Sequence, residues 1–141
     1  SLLSRWFPDN RYSVSYMMKD FNHEEVREVD WLSGGCLMIP HAVFKKAGGF
    51  DEHYFLFNED VDLCKAIHQH GFKVIYFPLA KITHHISTSN SKVPADIIIK
   101  RHLGMIHYYK KNHGENLGTR MIVNIMISLR CLTQLAFNIF K

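Results

Sequence analysis

Cysteine is scarce in this chain and never paired. Cys36, Cys64 and Cys131 are odd in number and form no C-x-x-C motif. A disulfide framework is thereby excluded, and Cys36 and Cys64 sit among apolar neighbours where a reduced thiol packs like a small hydrophobe. The expected setting is reducing and cytoplasmic. Zinc is excluded on similar grounds, because His68-x-His70 finds no third and fourth ligand at a usable spacing. Signatures of an RRM, KH domain, zinc finger or helix-turn-helix are also missing, so nucleic acid is not the expected partner. The sequence opens Ser-Leu-Leu-Ser-Arg-Trp with neither an initiator Met nor a signal-peptide pattern, from which a segment of a longer protein is expected.

Acidic charge is the scarcer sign, with 13 Asp and Glu against 17 Lys and Arg over 141 residues. The basic surplus gathers late, at Lys100-Arg101-His102 and Lys110-Lys111 with His113, and points to a polyanionic partner such as a diphosphate or lipid headgroups. Hydrophobic residues make up 47% of the chain, enough for one compact unit with its own core and too many for global disorder.

Residues 1–22 show no clear period and read as mostly irregular. Val26 to Ile39 reads as a strand interrupted at Ser33-Gly34-Gly35 and ended by Pro40. A short helix over His41–Ala47 is bounded by Pro40 and Gly48-Gly49. The next helix spans 59–70, with Val61, Leu63, Cys64 and Ile67 at helical spacing, Asn58 as its N-cap and Gly71 as its stop. Phe72–Phe77 and Ala80–Ile86 read as short strands, and Ser87–Lys92 as a polar loop. Helices follow from Ala95 to about Asn112 and from about Gly118 onward. On the last of these, Ile122, Ile125, Leu129, Leu132, Ala136 and Ile139 share one face, opposite Asn124, Ser128, Arg130, Gln134 and Asn138. Those polar groups argue against a membrane span. The stripe suits docking on protein, including a second copy, or peripheral contact at a membrane interface.

Chemistry is concentrated at Asn58-Glu59-Asp60-Val61-Asp62, where three carboxylates occupy one helix start. A favourable interaction with the helix dipole explains such a cluster without any chemistry. Asp60-x-Asp62 has the letters of a metal-binding D-x-D, yet on a helix the two side chains lie roughly 200° apart and do not easily share one ion. Trp31 and Tyr54 are large aromatic residues flanking this region, and Ser33-Gly34-Gly35 lets something approach the backbone closely. Ordinary core packing is the competing role for the aromatics. His84 and His85 alternate on a short strand, where they face opposite sides whether or not either binds a ligand.

Taken in order, Trp31-Leu-Ser-Gly34-Gly35, Gly48-Gly49-Phe50-Asp51-Glu52, Glu59-Asp60-Val-Asp62-Leu-Cys, Gly71-Phe72 to Ala80, and His84 to Ser89 resemble the C-terminal half of family-2 inverting glycosyltransferases. The rhamnosyltransferase-like branch is the nearest in pattern. The resemblance covers about residues 1–115 and leaves 116–141 as a separate amphipathic helix. It implies an α/β fold: the C-terminal, acceptor-side portion of a GT-A fold, with a mixed short sheet, flanking helices and a helical tail. It places the nucleotide-binding half and its D-x-D outside this sequence, so these residues alone are expected to be inactive.

By the same resemblance Asp60 is the general base and Glu59 an orienting or acceptor-binding alternative, with Asp62 structural. Trp31, Ser33, Gly34, Gly35 and Tyr54 would line the acceptor site. His84 or His85 would complete the shell of a Mg²⁺ or Mn²⁺ ion in the complete enzyme, although Ser87 stands where the family's loop usually has Gly. The implied partners are a nucleotide-sugar donor and a saccharide or lipid-linked acceptor in cell-surface polysaccharide synthesis. The expected place is the cytoplasm, at the inner face of the membrane. A non-catalytic membrane-binding or assembly module is the alternative.

Overall fold

A computed structural model describes Val14, Met18 and residues 21–83, 93–114 and 116–139. Its elements are β1 (Arg27–Glu28), α1 (His41–Lys46), α2 (Glu59–Gln69), β2 (Ile75–Tyr76), α3 (Ala95–His113) and α4 (Leu117–Ile139). They fall into two compact units, the smaller holding β1 and β2 and the larger holding α1 to α4.

In the smaller unit, β1 and β2 pair antiparallel with Arg27 opposite Tyr76 and Glu28 opposite Ile75. Phe21 is buried there, with Tyr76 edge-on at 5.5 Å between ring centroids and the Arg27 guanidinium 4.9 Å from its ring centre. The expected mixed sheet is, among the described residues, this single antiparallel pair.

Strands are shorter than the apolar runs suggested, because a strand exists only where a second one meets its amide groups. Cys36–Ile39 is irregular: the Cys36 N–H donates to the Ser33 carbonyl in a local turn, and Met38 is almost wholly exposed. Ala80–Thr83 is irregular as well. His84–Lys92 lie outside the described residues.

The helices of the larger unit follow the sequence closely. Pro40 precedes α1, and Gly48 and Gly49 leave it at φ +89° and +72°, a region open chiefly to glycine. At the far end of α2 the Gly71 N–H donates to the His68 carbonyl and the Phe72 N–H to that of Ile67. With Gly71 at φ +79° this is a Schellman closure. Asn116 starts α4 by accepting the Thr119 N–H on its side-chain oxygen.

Leu63, Cys64 and Ile67 of α2 form the core with Ile98 of α3, Val29, Val74 and Tyr54. Each fully buried aliphatic side chain contributes roughly 1.5–3 kcal/mol. The Val29 N–H donates to the Val74 carbonyl, and the His68 ring lies 3.2 Å from the Val29 carbonyl. His102 is 2% exposed, and its Nδ1 lies 2.7 Å from the Ile98 carbonyl one turn back. Gly104 lets α3 approach the entrance of α2: a Cβ there would stand 3.1 Å from Asn58 Nδ2 and 3.5 Å from the Phe57 carbonyl oxygen.

Candidate active site

The entrance to α2 departs from the expected cap. Asn58 makes no capping hydrogen bond through its side chain, because it sits at φ +70° after Phe57 at φ +67°. Two successive non-glycine residues in the left-handed region are uncommon and costly, and such pairs concentrate where a surrounding structure fixes a functional turn. Here the turn is backed by Gly104, while Arg101 of α3 lies over the Phe57 ring at 4.4 Å.

The Asp60 carboxylate does the capping instead. Its Oδ1 accepts the Val61 N–H at 2.8 Å, and its Oδ2 accepts the Gly34 N–H at 2.8 Å, from a loop 26 residues earlier. Asp60 therefore stands against the Ser33–Gly35 turn. A carboxylate has about four acceptor positions, so two backbone donors orient it and leave lone pairs for a proton. The Ser33 hydroxyl is engaged locally with the Gly35 N–H at 3.4 Å. Glu59 is partly buried, and its Oε2 is shielded from solvent with no hydrogen-bond partner.

Asp62 points the other way. It is 5% exposed, receives Lys111 Nζ at 2.7 Å on Oδ2 and Asn112 Nδ2 at 2.9 Å on Oδ1, and so ties α2 to the end of α3. The divergence expected from helix geometry is present, and the two acids do not form a shared ion site. Lys111 also donates to Asp51 Oδ2 at 2.7 Å, and the His53 and His107 rings lie 2.7 and 3.1 Å from the two Asp51 oxygens.

The Lys111 ammonium, with His53 and His107 beside it, holds the Asp51 carboxyl well below the usual carboxylate range despite some desolvation. Burial pulls the Lys111 pKa down, but its bonds to Asp51 and Asp62 outweigh that and leave it above the ordinary lysine value. This network went unread in the sequence. Its only signal was Asp51 in the Gly-Gly-Phe-Asp-Glu run, and its partners His107 and Lys111 lie 56 and 60 residues away.

Some of the late basic residues are engaged within the chain: Lys111 bonds to Asp51 and Asp62, Lys100 pairs with Asp96 at 3.2 Å, and His102 is interior, while Lys110 and His113 are exposed.

Tyr54 is a core residue rather than an open ring face. It is 7% exposed and meets His107 edge-on at 4.9 Å, and burial followed by the charge of Asp62 pushes its phenol well above the ordinary tyrosine value. Trp31 is partly exposed, and Phe55 carries the Lys100 ammonium 3.7 Å from its ring centre. His84 and His85 lie outside the described residues.

The ligand atoms of Asp51, His53 and His107 lie within 4.8 Å of one another. Lys111 already neutralises that carboxylate, so the set does not fit a divalent ion. Among the described residues no group is aimed at a diphosphate through a metal.

Held beside the Ser33–Gly35 turn, an oriented Asp60 within Glu-Asp-Val-Asp gives the resemblance its geometry, and comparison with known proteins decides the family. The description "Glycosyltransferase like family 2" matches residues 2–103. The chain belongs to glycosyltransferase family 2. It is 33% identical over 114 residues to the N-acetylglucosaminyl-diphospho-decaprenol L-rhamnosyltransferase of Mycobacterium tuberculosis, covering 81% of this chain and 37% of that protein. It is 32% identical over 62 residues to the rhamnosyltransferase WbbL of Escherichia coli K12, covering 44% of this chain and 24% of the relative. The O-antigen biosynthesis protein RfbC of Myxococcus xanthus is 32% identical over 71 residues, 49% of this chain and 6% of RfbC. The chain thus spans little more than a third of the first of these relatives. No solved structure matches it. A family-2 glycosyltransferase has a GT-A fold, and the α/β make-up of the chain agrees with one.

Proposed function

We propose that this chain supplies the acceptor-side, proton-accepting portion of an inverting glycosyltransferase. The observation that carries the reading is Asp60, gripped at both oxygens by backbone N–H groups yet left with free lone pairs at the start of α2. A sugar hydroxyl is a poor nucleophile near neutral pH. As its oxygen bonds to the anomeric carbon of the donor, the bond from that carbon to the diphosphate breaks and the hydroxyl proton passes to Asp60. A positioned base of this kind contributes about 10² to 10⁴ in rate. One face is attacked while the leaving group departs from the other, so configuration inverts.

Glu59, beside the base, orients the acceptor. Trp31, Ser33, Gly34 and Gly35 border the place where the acceptor hydroxyl arrives, and Tyr54 supports that wall from the core side. The donor is a nucleotide sugar held by the other half of the complete enzyme. A Mg²⁺ or Mn²⁺ ion there would neutralise the departing diphosphate, and His84 or His85 is proposed to approach it.

The relatives' names support a rhamnosyl donor and an acceptor carried on a diphospho-lipid, and the proposed setting is the cytoplasm, at the inner face of the membrane. The test uses the whole enzyme. Asp60→Asn is expected to lower transfer by about 10² to 10⁴ while donor binding, measured by calorimetry, stays within a few-fold. Undiminished turnover removes Asp60 from this role.

A further inference from the structure

α4 packs on α3 through a mixed face. Its less exposed side carries Val123, Ile127, Cys131 and Leu135 among Asn124, Gln134 and Asn138, and Asn138 Nδ2 donates to the Val93 carbonyl at 2.8 Å. Ile122, Ile125, Leu129 and Leu132 point away, each more than half exposed, with Met121 and Met126 at their margins. A helix that already has one side packed and still presents a continuous row of isoleucine and leucine to water carries an apolar patch of the kind that marks a binding surface.

We propose that the outer face of α4 seats in the surface of an anionic lipid bilayer, with the helix lying in the plane of the membrane. Charge favours lipid over a second copy. α4 contains no Asp or Glu, and its charged residues are Arg120 and Arg130. Arg120 lies on the packed side, but Arg130 borders the stripe, and with no acid on the helix a second copy offers it no countercharge, whereas anionic headgroups do. Arg130 follows Met126 by one turn, at the border of the stripe, where its stem can lie on apolar surface and its guanidinium can reach phosphate.

Length and composition alone would let α4 cross a membrane. Crossing would place Arg130 near the bilayer centre and pull α4 off α3, both costly. Lying flat keeps every contact already made. The family model's match ends at residue 103, before α4 begins. The inference gains a purpose from the lipid-linked acceptor proposed above, but stands on α4 alone.

The experiment is flotation of the whole protein with vesicles of phosphatidylcholine, with and without phosphatidylglycerol. Wild type is expected to float with the anionic vesicles and to be released by high salt. The double variant Ile125→Glu/Leu129→Glu, with unchanged far-UV circular dichroism, should lose at least about tenfold in vesicle partition. Arg130→Gln should lose a few-fold on anionic vesicles and little on neutral ones. Equal flotation of wild type and double variant overturns the proposal. So does a lipid-free dimer, seen by analytical ultracentrifugation, that the double variant dissolves, since a second copy then covers the stripe. Asp60→Asn should float like wild type whatever its turnover, which separates this inference from the proposed chemistry.

Discussion

Asp60 and Asp62 are two residues apart on one helix and live in different chemical worlds. Asp62 is enclosed, with each oxygen claimed by a side chain of α3 and a lysine beside it. Asp60 is held only by backbone N–H groups and keeps lone pairs free at the Ser33–Gly35 turn. Neutralising a carboxylate with an ammonium builds a joint. Orienting one with neutral amides, and withholding the countercharge, builds a reagent. The same helix start thus serves assembly on one side and, by the proposed function, reaction on the other, and residue identity alone does not separate the two.

The contrast is broken most severely at Asp60, where the asparagine change should cost transfer far more than it costs folding. Lys111→Met attacks the opposite side. It leaves Asp51 and Asp62 without their shared cation, and should lower stability by about 2 kcal/mol, a figure reduced from the fully buried case because the lysine is itself nearly half exposed. Urea unfolding reads this directly, and an unchanged midpoint would show the network to be idle.

The pH dependence sharpens the point. Asp51 titrates lower in the folded chain than in the unfolded one, so its contribution is complete above about pH 4 and is lost as acid approaches its folded pKa. Lys111 titrates higher when folded, so its contribution is complete below about pH 10 and is lost as pH climbs through its folded value. Stability should be flat between these limits and fall at both ends, with the two flanks shallower in Lys111→Met. The smallest effect is expected at the turn before α2: Asn58→Gly relieves a left-handed asparagine and should gain about 0.5 kcal/mol in thermal unfolding.

The four helices were legible because their signals are local. Gly48-Gly49 and Gly71 stop the chain where only glycine is comfortable, and apolar spacing marks the bodies of α2, α3 and α4. Strands were over-read at Cys36–Ile39 and Ala80–Thr83, since apolar composition says nothing about whether a partner strand is present. The Asn58 cap failed because its backbone turns left-handed, which the sequence does not announce. The Asp51–Lys111 tie joins residues 60 apart, and only packing of α3 brings them together. Periodicity correctly grouped Ile122, Ile125, Leu129 and Leu132. It could not say which way that face would point.

The hydrogen bond from Gly34 to Asp60 has a consequence for timing. The stretch that supplies the donor has no ladder partner and lies largely open to water, whereas α2 is anchored in the core. Brief opening of that stretch would release the carboxylate from its aim while leaving the rest of the protein intact. Were Asp60 the base proposed above, competence for proton transfer would be a separate equilibrium from folding and would end sooner on warming than the global melt.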